Sequence, residues 1–277
     1  MELPMNHLSS PIAFIGGGNM ASALIGGLLR SGVHAHEVLV VEPWAEQRER
    51  LKQEFGIVAT EQATPALADA GLVVWAVKPQ LFREAAAPCA PHVGEAAQLS
   101  VMAGIRTDAI VAATGNRCVV RAMPNTPALI GQGIAGLYAR PEVDAGQRSS
   151  VEALLAPTGA TLWVDREADL DAVTALSGSG PAYVFLFIEA LMEAARDMGL
   201  TPEQGRALAL GTFSGATALA AQSAEPPSVL RERVTSRGGT THAALIAMQA
   251  DGVPAAIVRA VRAAQRRAVE LGDEFGG

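Results

Sequence analysis

The sequence predicts an α/β chain with an all-helical second part. A doubly wound, mostly parallel sheet is expected over residues 1–165 and a set of helices over 166–277. Three observations carry this. Short apolar runs alternate with amphipathic helical patterns as far as Val164. The first of these runs feeds a glycine cluster that opens a helix. After Val164 the β pattern stops, and Asp165 to Asp171 (DREADLD) marks the boundary.

Taken in order, Pro11 to Ile15 is a short buried strand. Gly16-Gly17-Gly18-Asn19-Met20 follows, then a helical pattern through Ala21, Leu24, Ile25, Leu28 and Leu29 that stops at Ser31-Gly32. His36 to Glu42 is a second strand. This βαβ unit carries the G-x-G-x-x-G/A pattern as Gly16, Gly18 and Ala21, with Gly16 for the tight turn, Gly18 for approach of a pyrophosphate and Ala21 for close helix–sheet packing. A Rossmann-type dinucleotide domain follows from strand, turn and helix together, not from the glycines alone. Glu42 ends the second strand, where an acid bonds the adenine ribose of NAD and repels the 2′-phosphate of NADP. Arg48 and Arg50 lie within about two helical turns. They read either as a solvated helix face or as ligands for that phosphate.

Residues 46–55 form a helix, 57–59 a third short strand and 65–70 a short helix. Gly71 to Val77 is a continuous apolar run, as a central parallel strand requires. Val77 and Lys78 then meet the carboxyl edge of the sheet, where ligands lie; for Lys78 a solubilising strand end is the alternative. A strand over 97–102 turns at Ala103-Gly104, and a helix covers 107–113. A strand over 118–122 ends in Met123-Pro124-Asn125-Thr126-Pro127, an extended loop fixed by its prolines. A strand at 133–139, a helix at 144–156 and a strand at 160–164 complete about eight strands.

The second part reads as helices at 168–176, 181–198, 202–222, 228–234, 241–251 and 254–271. Thr201-Pro202-Glu203-Gln204 is a capping box with proline in its first turn. The helix at 181–198 is apolar nearly all round, which demands burial on most sides. So few helices have few partners of their own, and a second copy of the chain is expected to cover them, with a self-contained bundle as the alternative.

Composition bounds the class. Hydrophobic residues make up 49% and charged residues 18% of 277, a packed chain and not a disordered one. The net charge of −7 and the lack of a basic block argue against nucleic acid. Cys89 and Cys118 show no metal-ligand spacing with histidine, so no metal site and a reducing compartment are expected. Residues 1–10 have no basic or apolar leader pattern. The longest apolar run, Ala182 to Met192, contains Glu189 and is too short to span a bilayer. A cytoplasmic protein without a membrane partner is the expectation.

Near the chain end, Pro227 to Gln249 joins two helical patterns through Thr235-Ser236-Arg237-Gly238-Gly239-Thr240-Thr241. Glycines let a backbone approach a ligand, and the N–H groups opening a helix attract anions. A helix-to-helix connection with threonine as N-cap is the plainer reading.

Five stretches together resemble the pyrroline-5-carboxylate reductase family of proline biosynthesis: IGGGNM, AVKPQ, RAMPNTPALIGQG, LSGSGPAYVFLFIEAL and SRGGTTHAAL. The likeness runs over the chain after residue 11. It implies reduction of L-1-pyrroline-5-carboxylate to L-proline by hydride from NADP(H) or NAD(H). It places the nucleotide on Ile15, Gly16, Gly17, Gly18, Asn19 and Met20, with Val77, Lys78 and the Met102, Ala103, Gly104 turn in contact. It places Glu167 near the substrate. Gly238, Gly239 and Thr240 hold the substrate carboxylate by backbone N–H groups, with Ser236 alongside, and the catalytic Thr241 hydroxyl bonds the ring nitrogen. It implies a homodimer interlocked through the C-terminal helices, with a decamer among the larger assemblies, and a small imino acid as substrate.

Two positions depart from the family pattern. Arg237 replaces the usual proline of Ser-Pro-Gly-Gly, which loosens the loop and adds a positive charge. Ala63 or Thr64 stands where relatives often have asparagine beside the adenosine, and with Glu42 this leaves the nucleotide preference open. The rivals are a β-hydroxyacid dehydrogenase or imine reductase, which relies on a lysine or aspartate in its helical domain, and a non-catalytic nucleotide sensor. Ser-Gly-Ser-Gly-Pro in the relevant helix disfavours the first; intact Ser236, Thr240 and Thr241 disfavour the second. Of the five histidines only His242 lies near the loop, where it reads as a helix-surface residue.

Overall fold

The computed structural model describes residues 10–275; the reading of the first nine residues as lacking a leader lies outside them. The chain divides into two compact units. The first comprises residues up to Ser179 together with the chain end from Ala264, and the second runs from Gly180 to Ala263.

The first unit is a seven-stranded sheet. In chain order it contains β1 (Ile12–Ile15), α1 (Asn19–Arg30), β2 (Val38–Val41), α2 (Ala45–Phe55), β3 (Leu72–Trp75), α3 (Phe82–Cys89), β4 (Ala97–Ser100), α4 (Thr107–Thr114), β5 (Val119–Met123), β6 (Gly133–Ala139), α5 (Ala145–Leu155), β7 (Gly159–Trp163) and α6 (Asp169–Val173). The spatial order is β2-β1-β3-β4-β5-β6-β7. The first five strands are mutually parallel, β6 runs antiparallel to β5, and β7 is parallel to β6. The order reverses at β1, between β2 and β3, and this is the switch point at which doubly wound sheets bind ligands.

Two apolar layers flank the sheet. Ile12, Phe14, Val38, Val40, Leu72 and Val74 face one side, under Leu24, Ile25 and Leu28 of α1, Leu51 of α2 and Leu154 of α5. Ala13, Ile15, Val73 and Trp75 face the other, under Phe82 of α3 and Ile110 of α4. Successive strand residues alternate between the layers because the pleat has a period of two. Each fully buried Leu, Ile or Phe contributes roughly 1.5–3 kcal/mol. A polar pair inside this core is satisfied: Trp75 Nε1–H donates to Gln98 Oε1 at 2.8 Å.

Three expectations change. The strand expected at 57–59 does not form. Gly56 ends α2 in the left-handed conformation (φ 69°), and only Thr60 then pairs, as an isolated bridge to Val41. Helix α3, unforeseen in the sequence, carries Pro88 near its end, where the proline obscured the pattern. The helix expected at 168–176 is α6 followed by a π-helical turn, Thr174–Gly178, that accommodates the Ser-Gly-Ser-Gly segment. Such turns cluster at functional sites.

The second unit holds α7 (Gly180–Asp197), α8 (Pro202–Gln222), α9 (Pro227–Arg233), α10 (Thr240–Ala250) and the start of α11 (Val253–Phe275), which from Ala264 onward belongs to the first unit. The capping box at α8 forms as expected: Gln204 N–H donates to Thr201 Oγ1 at 3.2 Å, and Thr201 N–H to Gln204 Oε1 at 2.9 Å. Among the described residues, Ala195 is the one buried position of α7. Phe185 and Leu186 stand 59% and 64% exposed, so the burial that its sequence demands is not supplied by this chain. The stretch Asp169–Asp197 is long and apolar enough to cross a membrane by length and composition.

Candidate active site

The glycine turn is built by the end of β3. Gly16 has φ 96°, and a Cβ there would lie 2.8 Å from the carbonyl oxygen of Ala76 and 2.9 Å from Val77 Cγ1. Only glycine fits both the conformation and the space. Gly16 N–H donates to the Val41 carbonyl at 2.9 Å, so the turn is tied to β2 as well. Gly16 and Gly17 are buried, Gly18 and Asn19 are exposed, and Met20 is half-buried. No heavy atom lies within 4 Å of a Cβ placed on Gly18. No side chain caps α1 at Gly18, which leaves the N–H groups of its first turn to an external acceptor. An open glycine before an uncapped helix, at a switch point, fits a pyrophosphate.

Glu42 closes the turn from β2. The residue is buried, 6% exposed. Gly17 N–H donates to Oε2 at 2.8 Å and Trp44 N–H to Oε1 at 2.9 Å. From α2, Gln47 Nε2–H donates to the Gly17 carbonyl, and Leu51 packs where a Gly17 side chain would go. Lys78 is exposed, with its Nζ 5.4 Å from the centre of the Trp44 ring. Gln47 and Trp44 were not singled out in the sequence; the signal was their place on and just before the helix that follows the strand-end acid.

The second expected turn follows β4, the neighbour of β3 in the sheet. Met102 is buried, and its N–H donates to Ser100 Oγ at 3.3 Å. Ala103 is half-buried. Gly104 has φ 77°, and a Cβ there would lie 3.1 Å from the Leu271 carbonyl. The structure thus gathers Ile15 to Met20, Glu42, Val77, Lys78 and Met102 to Gly104 along the carboxyl edge of parallel strands.

Glu167, in the segment before α6, meets the start of α4, three residues after the Gly104 turn. Its carboxylate accepts Thr107 N–H at 2.7 Å, Thr107 Oγ1–H at 2.6 Å and Arg121 Nη1–H at 3.2 Å. The Arg121 side chain is 5% exposed and that of Glu167 21%. Asp171 is buried in the same cluster, and burial raises its carboxyl above the ordinary value, against the pull of Arg121 and Arg106. Asn125, named in the sequence only as part of a motif, knits the proline loop to its surroundings. Its Nδ2–H donates to the Ser177 carbonyl at 3.2 Å, and its Oδ1 accepts Ile134 N–H at 3.0 Å.

In the second unit, the hydroxyl-rich loop joins α9 to α10. Its N-cap is Gly239, not a threonine, and no side chain caps the helix. This corrects the plainer reading of the loop as a threonine cap. Gly238 has φ 76°. Gly239 N–H donates to the Ser236 carbonyl at 3.0 Å, and a Cβ on Gly239 would lie 2.7 Å from Ser236 Oγ. Ser236, Arg237, Gly238 and Thr240 are exposed; Gly239 and Thr241 are half-buried. The uncapped first turn of α10 has the make-up of an anion site. His242 faces a groove of about 700 Å³ that it shares with Phe187, Thr235 and Ile257. No group of His, Cys, Asp and Glu suited to a metal occurs among the described residues.

Residues 167–271 match the family model for pyrroline-5-carboxylate reductase dimerisation, and residues 11–104 match the model for NADP oxidoreductase, coenzyme F420-dependent. A pyrroline-5-carboxylate reductase from Pseudomonas aeruginosa is 46% identical over 272 residues, covering 97% of this chain and 100% of that protein. Among solved structures, a pyrroline-5-carboxylate reductase from Coxiella burnetii superposes with a TM-score of 0.88 at 35% identity, covering 95% of this chain and 98% of the other. The Plasmodium falciparum pyrroline carboxylate reductase with NADP bound gives 0.84 at 26% identity, covering 96% and 99%. With a relative this similar along almost its whole length, the chain belongs to the pyrroline-5-carboxylate reductase family.

Proposed function

We propose that this protein reduces L-1-pyrroline-5-carboxylate to L-proline with NAD(P)H, the last step of proline biosynthesis. The observation that carries the reading is the presence, in one chain of this family, of a glycine turn at the sheet's switch point and an uncapped Gly-Gly-Thr-Thr helix start. The nucleotide supplies a hydride, which adds to the imine carbon while the ring nitrogen keeps its proton. A protonated imine is already electrophilic, so the protein's work is placement at roughly 3–3.5 Å and exclusion of water.

In this reading Ile15 to Met20 receive the pyrophosphate, Glu42 the adenine ribose, and Val77, Lys78 and Met102 to Gly104 the rest of the nucleotide. Gly238 and Thr240 hold the substrate carboxylate through backbone N–H groups, while Gly239, its N–H turned to the Ser236 carbonyl, lets the carboxylate approach, with Ser236 beside them. Thr241 bonds the ring nitrogen. Glu167 acts near the substrate as a positioning residue, since its carboxylate is already engaged by Thr107 and Arg121. The division of labour follows a nucleotide domain over 1–165 and a helical substrate and dimerisation domain over 166–277. The apolar stretch Asp169–Asp197 is assigned to pairing with a second copy in the cytoplasm, and dimers assemble further into a decamer. Support comes from the dimerisation model over 167–271 and from the exposed face of α7. NAD(P)H oxidation, followed by absorbance with the pyrroline acid as substrate, tests the reading. Nucleotide binding without oxidation would reject it in favour of a sensor.

A further inference from the structure

We infer that Glu42 makes this protein select NADH over NADPH. The inference rests on the nucleotide reading of the glycine turn and adds to it the form of the nucleotide.

Three features of the strand end carry it. First, the carboxylate is fixed. One oxygen accepts Gly17 N–H and the other Trp44 N–H, and the residue is 6% exposed. A loosely held glutamate swings aside for a phosphate; this one gives up two hydrogen bonds if it moves. Each oxygen keeps a free lone pair, which suits a ribose hydroxyl donor and not a second anion. Second, Arg48, the cation best placed to compensate, is committed elsewhere. Its Nη1–H donates to the carbonyls of Glu42 at 2.9 Å and Pro43 at 2.6 Å, and its Nη2 pairs with Glu61 at 3.3 Å. Arg48 therefore braces the backbone that holds Glu42. Third, the remaining cations do not cancel the carboxylate. Arg50 is exposed and hydrogen-bonded to Gln47 at 3.4 Å, and Lys78 lies over the Trp44 ring. A 2′-phosphate placed beside Glu42 meets a like charge that has no freedom to leave, and like charges brought together in this way cost affinity heavily.

The test is titration of the purified full-length protein with NADH and with NADPH, without imine substrate, followed by nucleotide fluorescence. The expected result is at least about 10-fold tighter binding of NADH. Glu42→Gln and Glu42→Ser are expected to shrink that ratio about 10-fold, whatever they do to affinity overall. Arg48→Ala is expected to weaken both nucleotides alike; if Arg48 served a phosphate it would weaken NADPH alone. Equal binding, a preference for NADPH, or a ratio unmoved in both Glu42 variants overturns the inference and leaves the functional reading standing. The wild-type ratio decides even where a variant fails to fold. Binding of neither nucleotide overturns both.

Discussion

Gly16 shows how a single position commits the chain. Its left-handed backbone and the Ala76 carbonyl 2.8 Å from a would-be Cβ leave no room for another residue. Gly16→Ala is expected to destabilise the first unit by about 1–3 kcal/mol and to abolish nucleotide binding. Chemical denaturation and nucleotide titration read the two effects, and wild-type values in both would refute the close approach. Thr241 makes the opposite case, a residue without a structural task. It caps nothing, because Gly239 is the N-cap. Thr241→Ala should keep the wild-type Tm and lower kcat/KM by about 10- to 100-fold. Undiminished turnover would remove the hydroxyl from the mechanism. Asp171 supplies a pH test. Burial raises its carboxyl, opposed by Arg121 and Arg106 and assisted by Glu167 and Asp273. The folded state thus holds this proton more tightly than the unfolded chain does, and stability falls as pH climbs from near 3.8 through the folded value. Asp171→Asn is expected to raise Tm at neutral pH and to lose that gain as pH is lowered into the ordinary carboxylate range. A gain independent of pH would reject the cause.

Among the elements, the ion pair of Arg121 in β5 with Glu167 joins a strand to the segment before α6, and the same carboxylate holds the start of α4 through Thr107. Removing one partner leaves the other charge buried. Glu167→Leu is expected to cost about 3–5 kcal/mol, toward the low end because Glu167 keeps some contact with water. Denaturant unfolding reads this, and a cost below about 1 kcal/mol would show a solvated pair. This cluster also marks what the sequence could reveal. The βαβ start was legible because periodicity, the glycine spacing and the stop at Ser31-Gly32 all agreed. Seven of the roughly eight expected strands form, but their spatial order was not read from the sequence. The failures were local. Ile57 is buried at 1% like a strand residue, yet its neighbours do not pair, because burial and pairing are separate requirements that one pattern cannot distinguish. Helix α3 was hidden by Pro88, and the π turn at Thr174–Gly178 has no period of its own to read. The partners of Glu167 lie 60 and 46 residues away in the chain, a separation that no local pattern spans.

For the molecule as a whole, the decisive fact is an apolar helix that its own chain leaves bare. Side chains such as Phe185, Leu186 and Leu208 are about three-fifths exposed on α7 and α8, and the family model matching this region describes dimerisation. Leu186→Asp separates pairing from folding. Within one chain the residue is mostly solvated, so the change should cost little there. Between two copies it buries an unpaired charge, which is expensive. Light scattering on the wild type is expected to give at least twice the mass of one chain, and on Leu186→Asp a shift to the mass of one chain. Nucleotide titration should be unchanged in the variant, because the glycine turn lies wholly in the first unit. Reduction of the imine acid should fall by more than 10-fold, because the substrate loop proposed at Gly238 to Thr241 lies in the same unit as α7. A variant that keeps its mass and turnover would show that α7 is covered by something other than a second copy.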